Sequence, residues 1–167
     1  MWEKISKKFS DYPAREAVAK KMIEYGLRIG NKGKIFCGDI EIKDSALAKS
    51  VGVDRRAVRT TIDAIRKDDE LKILFANILP AGALLKNVAK ELGYGAVEIE
   101  ADAKKPGILA ACATLLAKRQ ISIKQAHADD PALVEKPKLT IITEKKIPGE
   151  IINEFLKIDG VKKVSII

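Results

Sequence analysis

The sequence is poor in the residues that build metal and redox centres. Its two cysteines, Cys37 and Cys112, lie far apart, and its one histidine is His127. With no C-x-x-C pair, neither a zinc site nor a disulfide framework is expected, and the cysteine usage fits a reducing compartment. Aromatic residues make up only 5% of the chain, and "KLTIITE" lacks the stacking rings that an RNA-reading sheet needs in that strand. No apolar run approaches the ~18 residues of a membrane span. "MWEKISKKFSDYP" lacks the apolar centre of a signal peptide. The expectation is a cytoplasmic protein with no membrane partner. No nucleophile–base pair, phosphate loop or metal cluster is legible either, so no enzyme, cofactor or metal site is expected. His127, at the end of "ISIKQAHADD" beside Asp129 and Asp130, reads as a surface or interface residue rather than as a ligand or an acid–base group.

What is present is positive charge, unevenly distributed. The 167 residues carry a formal net charge of +8. Residues 1–92 hold 19 Lys and Arg against 13 Asp and Glu, whereas residues 93–167 hold 12 against 10. The excess is N-terminal, which points to an anionic partner for that half. The length accommodates two small units, each able to bury a modest core.

Pro13 suits the first turn of a helix, and "AREAVAKKMIEYGL" continues at helical spacing through Ala17, Met22 or Ile23, and Leu27. "KIFCGDIEIK" alternates at Ile40 and Ile42 and reads as a short strand or extended segment. Two short helices follow. Asp44 or Ser45 is placed to cap the first, Gly52 supplies the turn, and Asp54 is placed to cap "RRAVRTTIDAIRK". "DDELKILFANILPAG" fits a β-wing, a helix or a packed connector. "AGALLKNVAKELGYG" reads as a further helix with Leu84, Leu85, Val88 and Leu92 on one side and Gly93 at its end.

In "DSALAKSVGVDRRAVRTTIDAI", Ala48 is small where two helices must approach, Gly52 lies at the turn, and Leu47, Val51, Val53, Val58, Ile62 and Ile65 make an inward face. Over about 22 residues this resembles the DNA-binding helix-turn-helix, with Thr61 standing where an apolar residue is usual. Arg55, Arg56, Arg59, Thr60, Asp63 and Arg66 face outward, and four of the chain's seven arginines fall in this helix. Arginine pairs bidentately with guanine edges and phosphates. The candidate DNA-binding residues are therefore Arg55, Arg56, Arg59, Thr60 and Arg66.

From Gly93 to Gly95 onward the periods alternate as strand, helix, strand, strand, helix, strand, the ferredoxin-like β-α-β-β-α-β plan. Ile108, Cys112, Leu115 and Leu116 share one helix face; Ile151, Ile152, Phe155 and Leu156 share another. Cys112 reads as core packing. This order, with "DAKKPGILAACATLLAKRQISI", resembles the ACT domain, a ligand-sensing module of amino-acid metabolism. The resemblance implies an amino-acid site at the Pro106–Gly107 turn, with Asp102, Lys104, Gly107, Ile108 and Leu109 on the loop side and Ser122 and Gln125 opposite. Free N–H groups at the start of the helix favour a carboxylate there.

The expected fold is α+β: a mostly helical, winged-helix-like helix-turn-helix domain over 1–78, a helical connector over 79–95 and an ACT domain over 96–167. This pairing resembles a family of largely archaeal regulators of amino-acid metabolism. It implies an amino-acid-responsive transcriptional regulator, with double-stranded DNA and a small amino acid as partners and a homodimer or larger oligomer joined through ACT domains. The alternative is a regulatory protein that dimerises through the ACT domain and docks a metabolic enzyme instead of DNA.

Overall fold

A computed structural model describes residues 2–167, which divide into two compact units, one ending at Gly82 and the other spanning 83–167. The first is mainly helical. It opens with α1 (Trp2–Phe9), which has no counterpart in the sequence reading, and α2 (Pro13–Glu24), with Pro13 at the helix start. The buried face of α2 is Val18, Ala19 and Met22, while Leu27 already belongs to the next strand. Three strands of three residues each, β1 (Leu27–Ile29), β2 (Ile35–Cys37) and β3 (Ile40–Ile42), form an antiparallel sheet in chain order. Helices α3 (Asp44–Val51), α4 (Arg55–Arg66) and α5 (Asp69–Asn77) complete the unit. Ile5, Phe9, Met22, Ile35, Val58, Ile62, Ile65 and Phe75 are almost wholly enclosed and make one core.

Two details correct the winged-helix expectation. The β2–β3 hairpin precedes the α3–α4 pair, and "DDELKILFAN" after it is helix α5 rather than a wing. Asp68 starts that helix by accepting the Leu71 N–H at 3.1 Å, and Lys8 donates to its carboxylate at 2.9 Å. Both bonds hold the Asp68 carboxyl below its ordinary pKa, the lysine more strongly.

The second unit is a four-stranded antiparallel sheet of β4 (Gly95–Ala101), β5 (Ile123–Ala128), β6 (Lys138–Thr143) and β7 (Val161–Ile166), ordered β5-β6-β4-β7. Helices α6 (Ile108–Lys118) and α7 (Ile151–Leu156) provide the two crossovers. This is the ferredoxin-like arrangement. Val97, Ile99, Leu139 and Ile141 face Ile108, Cys112, Leu116, Ile151 and Phe155, and burial pushes the Cys112 thiol up to about 11. Leu156 departs from the expected face and is 44% exposed.

The stretch before β4 is also corrected. Instead of a long helix it contains one 3-10 turn, Leu85–Val88, and residues 83–94 belong to the second unit. Ala89 packs with Ala96 and Ile142 on the sheet face opposite α6, alongside Leu85 and Tyr94. Lys86 and Lys138 both pair with Glu98. Of the expected inward stripe, Leu84, Val88 and Leu92 are 43–50% exposed, and only Leu85 packs against the sheet.

Candidate functional site

The geometry of the helix-turn-helix follows from its capping residues. Gly52 ends α3 in the left-handed conformation (φ 75°), and the Val53 N–H donates back to the Ala48 carbonyl at 3.0 Å. A β-carbon at Gly52 would meet nothing within 4 Å, so the glycine is there for the backbone angle. Asp54 then opens α4 by accepting the Arg56 N–H at 2.7 Å. Thr61, the polar residue at an apolar position, is fully enclosed and donates its hydroxyl to the Ala57 carbonyl at 2.7 Å. One intrahelical bond therefore removes the penalty of burying it.

At 100° per residue, Val58, Thr61, Ile62 and Ile65 define the buried side of α4, and Arg56, Thr60 and Asp63 lie opposite. Arg55, Arg59 and Arg66 occupy one flank between the two. The five DNA candidates thus divide into two groups. Arg56 and Thr60 project from the open face, the Thr60 hydroxyl bonding the Ala57 carbonyl at 3.1 Å.

Arg59 is held within the unit. Its Nε lies 2.6 Å from Asp44 Oδ2, and its Nη1 approaches the Gly33 carbonyl at 3.4 Å. Arg55 Nε stands 3.7 Å from the same carboxylate but remains 68% exposed. Asp44, proposed above as a cap, is instead the first residue of α3; Lys43 precedes the helix without a side-chain bond. The Asp44 side chain is only 7% exposed, and a carboxylate so buried needs a cation. Arg66 sits at the other end of α4, near Gly33, where an added β-carbon would come within 3.3 Å of its Nη1. It lines a separate cleft with Arg28, Lys32 and Lys72, residues with no sequence signal linking them to α4.

At the second candidate site, Gly107 precedes α6 with φ 91°, and no side chain caps the helix. Asp102 accepts the Lys104 N–H at 3.0 Å, closing its own turn. Lys105 pairs with Asp159. Ile108 is buried and Leu109 is 47% exposed. Ser122 is exposed immediately before β5.

Gln125 is engaged within the second unit. Its amide donates to the Ala83 carbonyl at 2.8 Å and accepts the Leu85 N–H at 3.0 Å, so both ends of the group bind the 83–85 backbone. The cause is a β-bulge: Ile123 pairs with Thr143 and Gln125 with Ile142, shifting the register between them. Simple alternation puts residues 123 and 125 on one face, whereas the extra residue sends them to opposite ones. His127 Nε2 lies 3.3 Å from Asp129 at the surface, and among the described residues no group of three metal-binding side chains occurs.

No protein-family model matches the chain, and no curated protein matches its sequence. Among solved structures, the one titled "Crystal structure of PH0061" is similar at 16% identity over 93% of this chain and 89% of its own, with a TM-score of 0.28. A transcriptional regulatory protein of the AsnC family from Pyrococcus furiosus, PF0864, is similar at 10% identity over 75% and 77%, with a TM-score of 0.28. The assignment rests on the residues themselves. They define a two-unit α+β protein with a helix-turn-helix in one unit and a ferredoxin-like sheet in the other.

Proposed function

We propose that the chain is a DNA-binding transcriptional regulator whose second unit responds to a small amino acid. The observation that carries the DNA reading is the open face of α4. Arg56 and Thr60 stand exposed at the N-terminal half of a properly capped second helix, the part of such a helix that reaches base edges. Arg55 supplies a neighbouring phosphate contact, and Arg59 supports the motif by neutralising Asp44. Arg66 belongs outside this contact set.

For the effector, the uncapped start of α6 offers N–H groups to a carboxylate. Lys104 and Ser122 are exposed beside the same loop and strand. Gln125 drops out of the ligand set. Coupling is reciprocal: an effector that changes DNA affinity must itself bind more or less tightly when DNA is present. In a homodimer, the spacing of two helix-turn-helix units against half-sites about one turn apart provides the means.

The test is duplex selection from random sequence followed by fluorescence anisotropy of the full chain. Arg56→Ala should weaken the selected duplex by roughly tenfold or more, in line with ~1–3 kcal/mol per bidentate base contact, and affinity should fall steeply with salt. Selection that enriches no sequence would refute the reading. A second reading, docking of a protein partner, is favoured by the exposed Leu84, Val88 and Leu92. Retention of the chain on DNA at low salt separates the two.

A further inference from the structure

The cleft behind α4 has a chemistry that the DNA reading does not use. Arg28, Lys32, Arg66 and Lys72 line it together with Ile29, Gly30, Asn31, Ile65 and Ala76, and no carboxylate is among the lining residues. Its volume is about 390 Å³, within the range of small-molecule sites. None of the four cations is within salt-bridge distance of an acid among the described residues, although charges of both signs are frequent elsewhere in this unit.

Two of the four are pre-positioned. The Arg28 guanidinium lies over the Phe36 ring at 4.6 Å, and its Nε donates to the Gly38 carbonyl at 3.3 Å, leaving the two terminal nitrogens for a ligand. Gly30 is necessary for that packing, since a β-carbon there would come within 2.7 Å of the Phe36 ring. Arg66 is seated against Gly33. The chain between them holds Lys32, a non-glycine residue, in the left-handed region (φ 58°, ψ 18°). Such conformations persist where the surrounding structure enforces them and concentrate at ligand sites.

We propose that this cleft binds a phosphorylated small molecule. Its phosphate would be held by Arg28 and Arg66 and neutralised by Lys32 and Lys72, while its carbon body would lie against Gly30 and the exposed Ala76. The fork of an arginine suits a phosphate bidentately, and lysine contributes point charge. A duplex backbone is the weaker candidate. Arg66 ends α4, about 16 Å along the helix from Arg55 at 1.5 Å per residue, and the concavity admits one discrete anion rather than a running strand. The site is separate from the effector turn at Gly107 and does not depend on the DNA reading.

The full chain, in buffer free of phosphate, is titrated with pyrophosphate and with ribose 5-phosphate, followed by ¹H–¹⁵N spectra and calorimetry. The expected result is saturable movement of the Gly30, Asn31, Lys32 and Gly33 amides, with ribose 5-phosphate also moving the Ala76 methyl signal. Lys32→Ala and Lys72→Ala, both at exposed positions, should each weaken binding by about tenfold, as expected for the loss of one charge-assisted contact. The same melting temperature in both variants would tie that loss to the cleft. The proposal is overturned if neither probe saturates. It is also overturned if sodium chloride at equal ionic strength produces the same movement, or if only duplex DNA moves these amides.

Discussion

The two units engage their charged residues differently. In the second, the ion pairs of Glu98 with Lys86 and Lys138 tie one sheet face together, and Arg119 with Glu154 joins the two helices. In the first, the only strongly buried carboxylate among the described residues, Asp44, takes Arg59 closely and Arg55 at longer range, while Arg56 and Arg66 carry no acidic partner among the described residues. The contrast shows that a cluster of arginines on one helix is not a single surface. Arg59 and, at longer range, Arg55 face a buried carboxylate, Arg56 projects from the open face, and Arg66 lines a cleft.

The largest effect should come from either core. Phe155→Ala or Phe75→Ala removes a fully enclosed ring and should cost roughly 3–5 kcal/mol, read by denaturant unfolding. Equal losses would mean that the two cores resist cavities alike. Next, Arg59→Ala should cost about 1–3 kcal/mol by leaving Asp44 without its closest cation, whereas Arg56→Ala should stay within about 0.5 kcal/mol. DNA affinity should show the reverse pattern once the fraction folded is accounted for. Equal stability of the two variants would erase the distinction between them.

Glu98 offers a comparable test in the second unit. Its pKa is lowered chiefly by the hydrogen bond from Lys86 and then by that from Lys138. A group with a depressed native pKa contributes its full stabilisation above the unfolded value, near 4.5, and loses it as pH falls through the native one. Glu98→Gln should therefore lower stability by ~1–3 kcal/mol at neutral pH and flatten the acid limb of the stability profile below pH 4.5, measured by urea unfolding across pH. The smallest effect concerns Thr61→Val, which keeps shape and removes a satisfied hydroxyl; the expected change is under about 1 kcal/mol. A larger loss would mean that the bond to Ala57 does more than cancel burial.

Legibility in the sequence also differs between the units. The strands and helices of residues 95–167 followed from periodicity because each strand spans six or seven residues and each helix has an apolar stripe. In the first unit, three strands of three residues are too short to show a period, and α1 has only Ile5 and Phe9 as buried anchors. The helix-turn-helix was an exception, since Gly52, the Asp54 cap and the inward valines act within about 22 residues. Leu84, Val88 and Leu92 carried a helical period without forming the helix, because Ala89 and Leu85 instead hold that segment against the sheet.

Local physics therefore determined the order of elements from β4 to β7, the turn at Gly52, the start of α4 and most of the apolar faces of the second unit. Each depends on neighbours a few residues apart. Only the tertiary structure decided which arginine neutralises Asp44, that Gln125 binds the 83–85 backbone, and that Arg28, Lys32, Arg66 and Lys72 converge. Those outcomes depend on burial and on groups distant in sequence. A buried carboxylate requires the nearest cation, a one-residue bulge reverses a strand's faces, and neither event leaves a periodic trace in the chain.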